Sequence, residues 1–210
     1  MGKPRIAIVD SGSGNLRSVE KALARVGADA FITSHADQVA AADKVVVPGQ
    51  GAFGGCVAGL DRAGGALRAA VMESIGKGTP FLGICIGLQV LFEGSDEDPS
   101  CKGLGIFPGR VQRFAITPPL KVPHMGWNAC HRAGVAARAP VLIDTPDDTY
   151  FYFVHSYFPV PTRAADIALT AEHGVRFCAA VARDNLFACQ FHPEKSQRAG
   201  LALLGRFVAL

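Results

Sequence analysis

A cysteine flanked by glycines is the first feature of this sequence that could carry out chemistry. In Gly83-Ile84-Cys85-Ile86-Gly87 an apolar run leads into Cys85, with a glycine two residues away on each side. This spacing is that of a nucleophile elbow in which cysteine replaces serine. Glycine leaves room at a sharp turn from strand to helix, and the N-terminus of a helix favours a thiolate. The alternative is a buried structural cysteine between packing glycines.

A candidate base lies far along the chain, in His192-Pro193-Glu194. Residues two apart in an extended segment point to the same side, and Pro193 keeps His192 out of the helical region. A cysteine nucleophile needs a base within hydrogen-bond reach, and the base needs a third group that fixes its tautomer. His192 is therefore predicted to be the base and Glu194 its orienting partner. A polar turn after the last strand is the alternative.

The third candidate is a loop, Pro48-Gly49-Gln50-Gly51, after the apolar run Val45-Val46-Val47. Acyl transfer places negative charge on the attacked oxygen, and two backbone N–H groups commonly stabilise it. One would come from Ile86, the residue after the nucleophile, and one from this loop. A simple tight turn is the competing interpretation.

The elements that must position these residues alternate in the first half of the chain. Short apolar runs, separated by turns and segments of helical spacing, predict strands buried on both faces of a largely parallel sheet. Strands are expected at Arg5 to Val9, Ala30 to Thr33, Lys44 to Val47 and Phe81 to Cys85, and helices at Leu16 to Val26 and Leu67 to Ile75.

The second half has shorter segments separated by Pro, Gly and Asp, which predicts antiparallel strands added to the sheet. They are expected at Val111 to Ile116, Lys121 to Cys130, Tyr150 to Phe158, Ile167 to Ala171, Cys178 to Ala182 and Leu186 to Gln190, followed by a helix from Gln197 to Leu210. The stretch from Gly94 to Gly105 is interpreted as a surface loop. The fold class is thus α/β, with a mostly parallel central sheet, flanking helices and an antiparallel portion.

Composition excludes several classes of protein. The 210 residues, 49% of them hydrophobic, are enough for one core, so a single domain over residues 1–210 is expected. A net charge of +3 without runs of basic residues does not indicate a binding surface for nucleic acid or for an anionic membrane. The sequence has no apolar stretch long enough to span a bilayer and no secretory signal, and its six cysteines form no C-x-x-C pair. A cytoplasmic protein is expected, with Cys85 as its one reactive thiol.

These three motifs, in this order, resemble the class I glutamine amidotransferases. Further blocks narrow the resemblance to the glutaminase subunits of imidazole glycerol phosphate synthases, which act in histidine biosynthesis. The blocks are Asp10-Ser11-Gly12-Ser13-Gly14-Asn15, Pro123-His124-Met125-Gly126-Trp127-Asn128, Tyr152-Phe153-Val154-His155-Ser156-Tyr157 and His192-Pro193-Glu194-Lys195-Ser196. The resemblance implies a flavodoxin-like α/β fold and hydrolysis of glutamine to glutamate and ammonia through a thioester on Cys85.

The resemblance also assigns roles to individual residues. Cys85, His192 and Glu194 would form the catalytic triad, and the amides of Gln50 and Ile86 the oxyanion hole. Residues that would bind glutamine are Gly51, Gln89, Ser156 and Tyr157, and residues that would lie at or near a partner interface are Asn15, Trp127 and Lys195. The implied partner is a separate (β/α)₈-barrel cyclase subunit, forming a heterodimer that passes ammonia to the cyclase. That subunit would make imidazole glycerol phosphate and an aminoimidazole carboxamide ribonucleotide. No cofactor or metal is implied.

The sequence also offers other interpretations. A dinucleotide site fails because the Gly12-Ser13-Gly14 pattern requires Gly or Ala at position 17, where the chain has Arg17. Zinc ligands at Cys130 and His131 lack the usual spacing, and His35, His131 and His173 are interpreted as solvated loop residues. Three alternatives stay open: a glutaminase for a pyridoxal phosphate or anthranilate type synthase, a cysteine peptidase or amidase, and a non-catalytic binding subunit.

Overall fold

The computed structural model describes residues 2–12, 14–115 and 118–210. Two positions used in the sequence analysis, Ser13 and Ile116, lie outside these ranges. The strands are β1 (Arg5–Val9), β2 (Asp29–Thr33), β3 (Lys44–Gly49), β4 (Phe81–Cys85), β5 (Phe92–Ser95), β6 (Phe107–Arg113), β7 (His124–Arg132), β8 (Thr149–His155), β9 (Tyr157–Pro161), β10 (Ile167–Glu172), β11 (Arg176–Arg183) and β12 (Leu186–Cys189). The helices are α1 (Leu16–Arg25), α2 (Ala36–Ala40), α3 (Phe53–Leu60), α4 (Ala66–Gly76), α5 (Ile86–Gln89) and α6 (Gln197–Ala209).

Within the described ranges the strands form two sheets. The larger sheet has the order β2-β1-β3-β4-β12-β11-β10-β7-β8, and the smaller has the order β5-β6-β9. From β2 to β12 every neighbouring pair in the larger sheet is parallel, whereas the pairs from β12 through β11, β10 and β7 to β8 are antiparallel. The α/β class, the parallel centre and the antiparallel portion predicted from the sequence are confirmed.

The parallel centre is buried because its strands are apolar on both faces. Every residue of β3 and of β4 is buried. On one side α1 contributes Val19, Ala22 and Leu23, which are buried and recur at helical spacing. Burying a large aliphatic side chain contributes roughly 1.5–3 kcal/mol, so these strands and helices fix the frame on which the candidate residues sit. No helix in the described ranges has both the length and the apolar character needed to cross a membrane.

The second half departs from the sequence prediction at three places. Tyr150 to Phe158 is not one strand: β8 ends at His155 and belongs to the larger sheet, and β9 starts at Tyr157 in the smaller one. The strand expected from Val111 instead runs from Phe107 to Arg113 as β6. The predicted loop from Gly94 also begins inside β5, where Gly94 pairs with Arg110. Ser156 is therefore the single link between the two sheets at this point.

Two of the three histidines expected to be solvated loop residues differ from that expectation: one lies in a strand, and one lies in a loop but is half-buried. His131 lies in β7 and pairs with Asp148, with 2.7 Å between Nδ1 and Oδ1. His173 is half-buried, and its ring stacks on that of His124 with 4.3 Å between the ring centroids. Only His35, exposed at the start of α2, matches the solvated position expected for it.

Candidate active site

Cys85 sits at the sharp turn that the sequence predicts. It is the last residue of β4, and α5 begins at the next residue. Its backbone has φ 55° and ψ −106°, a conformation that is strained for a residue with a side chain. Such strain persists only where the surrounding structure imposes it. The chain therefore holds the thiol in a fixed place at the carboxyl end of the sheet.

The glycines around Cys85 are required by close packing. A Cβ atom on Gly87 would collide with the carbonyl oxygen of Val47, and one on Gly83 would lie 2.6 Å from the carbonyl oxygen of Gly87. On the neighbouring strand, a Cβ on Gly49 would lie 2.5 Å from the Cβ of Ile86. Because the obstacles to Gly83 and Gly87 are backbone atoms, they cannot move aside cheaply. The steric argument made from the sequence thus matches the packing.

His192 and Glu194 meet, although through a turn rather than through the extended segment that the sequence predicts. His192 follows β12, which is the parallel neighbour of β4, and a short 3-10 turn covers Pro193–Lys195. The Nδ1 atom of His192 lies 2.8 Å from Oε1 of Glu194, and both side chains are 2% exposed. The ring's other nitrogen, Nε2, has no hydrogen-bond partner among the described residues. Glu194 therefore fixes Nδ1 as the protonated nitrogen and leaves Nε2 for a reacting group.

The surroundings of His192 favour its charged form. Burial by itself lowers the pKa of His192, but the neighbouring Cys85 and Glu194 outweigh it and raise that pKa from 6.5 to about 9. The charged ring places a positive charge beside the thiol of Cys85 and the carboxylate of Glu194. The geometry and the charges together provide a nucleophile, a proton donor and an orienting acid.

The candidate residues surround one cavity of about 410 Å³. The sequence-predicted residues that line it are Gln50, Gly51, Cys85, Ile86, Gln89, Ser156, Tyr157, His192 and Lys195. Gly51 has φ 100°, a conformation that suits glycine. The size and the mixed lining fit a small polar molecule.

A glutamine that the sequence analysis did not single out connects this cavity. Gln190 is completely buried, and its Nε2 lies 3.6 Å from Sγ of Cys85. Its Oε1 accepts a hydrogen bond of 3.1 Å from Nε2 of Gln89, which also donates one of 3.0 Å to the carbonyl of Tyr157. Both N–H groups of Gln89 are thus used, and its buried Oε1 has no partner among the described residues. The available signal was a polar residue at the end of an otherwise apolar strand, two residues before His192.

The three residues expected at an interface fall into two groups. Trp127 is exposed and packs edge-on against Tyr152, with 6.1 Å between the ring centroids. The Nζ of Lys195 lies 6.0 Å from the same Tyr152 ring, and Lys195 also lines the cavity. Asn15 lies instead at the start of α1, next to a loop at Gly14 that approaches the Pro48 to Gly51 loop. Of the three, only Lys195 lines the cavity; Trp127 shares the Tyr152 ring with it, and Asn15 lies near the Pro48 to Gly51 loop.

A group elsewhere could in principle hold a cation. His131, Asp147 and Asp148 have candidate ligand atoms within 4.8 Å of one another. All three are at least partly exposed, and Asp147 already accepts a hydrogen bond from the amide of Arg132. None of them lines the cavity, so the chemistry of the site does not involve this group.

Comparison with known proteins agrees with this site. Residues 7–209 match the family described as Glutamine amidotransferase class-I, and the chain belongs to this family. Its curated relatives include three proteins named imidazole glycerol phosphate synthase subunit HisH. The one from Rhodopirellula baltica is 48% identical over 202 residues, covering 96% of both chains. Those from Nitrosospira multiformis and Thermosynechococcus vestitus are 50% and 49% identical, covering 97% and 100% of this chain and 96% and 99% of the relatives.

Solved structures share the fold at much lower identity. A crystal structure titled glutamine amidotransferase has a TM-score of 0.72 at 17% identity and covers 98% of this chain and 99% of its own. The structure of PurLQS from Thermotoga maritima has a TM-score of 0.72 at 18% identity, and the match covers 99% of this chain and 96% of the matched chain. These likenesses show the fold alone.

Proposed function

We propose that this chain is the glutaminase subunit of an imidazole glycerol phosphate synthase and that Cys85, His192 and Glu194 are its catalytic triad. One observation carries the proposal: a strained cysteine, an oriented buried histidine and an unpartnered glutamine oxygen, all among the described residues, meet at the same small cavity. The names of the full-length relatives indicate the particular synthase.

The reaction follows from the atoms around the cavity. The thiolate of Cys85 attacks the side-chain carboxamide carbon of glutamine, and the negative charge passes to the amide oxygen. The amides of Gln50 and Ile86 are proposed to receive that oxyanion. The protonated His192 then gives its Nε2 proton to the departing nitrogen, which leaves as ammonia and produces a thioester. His192 next removes a proton from water, and attack of that water releases glutamate and restores the thiol.

Recognition of glutamine rests on groups that the protein leaves free. The Oε1 of Gln89 is buried with no partner among the described residues, and it is suited to accept a hydrogen bond from the substrate's ammonium group. The backbone at Gly51, Ser156 and Tyr157 lines the same cavity and supplies further polar groups. A buried polar site of this kind discriminates strongly against a substrate that lacks the matching group, because its own polar atoms would stay unpaired.

The outer face of the β7 and β8 pair is the proposed docking surface for the cyclase subunit. Met125, Trp127 and Tyr150 are 63%, 46% and 59% exposed on neighbouring positions of this pair. Exposed aromatic and methionine side chains are enriched at protein interfaces. Lys195 borders both this face and the cavity, and Asn15 is proposed to contact the partner near the opposite loop. The complex is expected in the cytoplasm, with residues 1–210 acting as one domain.

The decisive experiment measures glutamine hydrolysis with and without candidate synthase partners. We expect turnover to rise when the histidine-pathway cyclase and its nucleotide substrate are added, and not with the synthase of a pyridoxal phosphate or anthranilate type. Cys85→Ser should remove hydrolysis while the complex still forms, and Cys101→Ser, a half-buried thiol away from the cavity, should keep it. Unchanged turnover in Cys85→Ser, or stimulation only by another synthase, would overturn the proposal.

The docking face has its own test. Trp127→Ala should weaken binding of the cyclase by about tenfold or more, since a half-exposed tryptophan at an interface centre commonly has an effect of this size. Val135→Ala, equally apolar and 63% exposed but outside β7 and β8, is the matched control. Equal affinities of the two variants in a calorimetric titration would contradict the assignment of this face.

A further inference from the structure

A pair of buried histidines lies beside the cavity and takes no part in the reaction described above. His124 begins β7 and His155 ends β8, and the two are cross-strand partners. Both are 6% exposed, and His124 Nδ1 lies 2.9 Å from His155 Nε2. The surrounding aromatic rings include Phe114, Phe153 and Phe177. Two polar rings in such a setting need fully matched hydrogen bonds.

The direction of these hydrogen bonds is fixed by carbonyl groups, which only accept. The Nδ1 of His155 lies 2.9 Å from the carbonyl oxygen of Tyr157, so this nitrogen carries the proton. In the neutral ring Nε2 of His155 is then an acceptor, and the Nδ1 of His124 must donate to it. The Nε2 of His124 in turn accepts from Asn128, whose Nδ2 lies 3.2 Å away and also donates to the carbonyl of Glu172. Both rings are therefore neutral and protonated at Nδ1.

A second series of hydrogen bonds also ends at the carbonyl group of Tyr157. A carbonyl oxygen has two lone pairs, and the second one on Tyr157 accepts from Nε2 of Gln89 at 3.0 Å. The other N–H of Gln89 goes to Oε1 of Gln190, so the Nε2 of Gln190 faces the Sγ of Cys85. The Tyr157 carbonyl thus sets which atom of Gln89 faces the cavity and which atom of Gln190 faces the nucleophile.

We propose that His124 and His155 are positioning residues for the substrate glutamine, holding the Tyr157 carbonyl so that Gln89 presents its Oε1 to the substrate's ammonium group. His155 holds the carbonyl directly, and His124 acts through His155 by fixing its tautomer. Without the donor from His124, His155 is free to move its proton to Nε2, which turns a lone pair of Nδ1 toward the carbonyl oxygen. The inference rests on the proposed function, because it assigns Gln89 to substrate binding.

The electrostatic setting keeps both rings neutral at working pH. Burial, with a smaller contribution from the adjacent His173, lowers the pKa of His124 to about 4. Burial likewise lowers the pKa of His155 to about 3, with smaller contributions in the same direction from His124, His173 and His192. The hydrogen bond to the Tyr157 carbonyl opposes this but does not outweigh it. The hydrogen bonds described above require both rings to be neutral, because each ring uses one nitrogen as a donor and the other as an acceptor.

The kinetic test compares substitutions of His155 that keep or remove its donor. His155→Leu should raise the KM for glutamine by about tenfold or more, the loss expected when a hydrogen bond to a charged group is misplaced, with a smaller effect on kcat. His155→Asn places an amide N–H near the position of Nδ1 and should keep KM within about threefold of the original value. His131→Leu, on the neighbouring strand β7 but on the surface, is the matched control.

The pattern of KM and kcat separates positioning from folding. A merely structural role would reduce the fraction of active enzyme and hence kcat, leaving the KM of the folded remainder unchanged. Assays on the assembled complex, with active sites titrated by a thiol-reactive glutamine analogue, correct for that fraction. The proposal is overturned if His155→Leu leaves KM unchanged, or if His155→Asn raises KM as much as His155→Leu does.

A second measurement does not depend on glutaminase activity. With ¹⁵N-histidine in this chain and an unlabelled cyclase, the nitrogen shifts of His124 and His155 should both report a proton at Nδ1. In His124→Phe the shifts of His155 should move toward the Nε2–H form. A proton at Nε2 of His155 in the unaltered chain overturns the positioning role of the two histidines, even if the complex hydrolyses glutamine. An inactive complex in which both histidines have the expected tautomers would contradict only the proposed function.

Discussion

Glu194→Gln tests how much of the site's activity depends on one buried carboxylate. The carboxylate lies 2.8 Å from Nδ1 of His192, and with Cys85 it raises the pKa of that histidine from 6.5 to about 9 in spite of burial. A shift of this size corresponds to roughly 3 kcal/mol in favour of the imidazolium. Cys85 is the larger of the two causes that raise this pKa, so Glu194→Gln removes only part of the shift and would slow a step that uses the imidazolium by about 10-fold. Loss of the correct tautomer can extend this to about 10⁴-fold.

The assay is glutamine hydrolysis by the complex, followed from about pH 6 to pH 10. We expect kcat to fall between about 10-fold and 10⁴-fold, and the high-pH limb to move toward lower pH because the pKa of His192 falls. Glu73→Gln, which removes an exposed carboxylate paired with Lys77 at the end of α4, is the matched control and should leave turnover unchanged. A loss below about threefold in Glu194→Gln, with the complex intact, would refute the orienting role.

Two further predictions concern stability. Gly87→Ala places a Cβ against the carbonyl of Val47 and should lower the free energy of unfolding, measured in urea titrations, by about 1–3 kcal/mol. Gly76→Ala is the control: Gly76 lies in helix α4 with open space around it, and the substitution should raise the free energy of unfolding by about 0.5–1 kcal/mol. Stability should peak near pH 6.5. His192 has a folded pKa of about 9, so its contribution is complete below about 6.5 and is lost as the pH rises through 9. The two neutral histidines of β7 and β8 have folded pKa values of about 4 and about 3, so stability also falls as the pH drops below 6.5. Each group changes the unfolding free energy by up to about 1.4 kcal/mol per pH unit, and a flat profile in unfolding titrations from pH 4 to pH 9 would contradict these assignments.

Local patterns in the sequence predicted the parts of the site that depend on local sterics. The elbow around Cys85 needs glycines two residues away on each side, and a short turn at Pro193 is enough to bring Glu194 to His192. Both are set by neighbours along the chain. The parallel centre was equally predictable, because strands buried on both faces are apolar throughout.

The parts that were missed depend on residues far apart in the sequence. Gln190 contacts Gln89, 101 positions away, and a lone glutamine directly after a strand carries no local signature of that contact. The segment from Tyr150 to Phe158 has an unbroken strand pattern, and only the positions of the two sheets require the break at Ser156. Helix α3 contains Gly54, Gly55 and Gly59, and the sequence analysis predicts no helix in this segment. Burial of the apolar residues of α3 stabilises this helix in spite of the low helix propensity of glycine.

The pairing of β4 with β12 has a consequence for how the protein is made. Cys85 and Gln190 are 105 residues apart in sequence and meet only when these two strands lie side by side. Closing so long a loop has an entropic cost that grows slowly with the length of the loop. This cost is offset only when the contacts between the two strands form. In a chain emerging from the ribosome, Cys85 is therefore synthesised long before His192, its proposed base. On the proposed mechanism, hydrolysis starts only after β12 has paired with β4 and the chain through Glu194 has been made, so a chain that ends before His192 should be inactive.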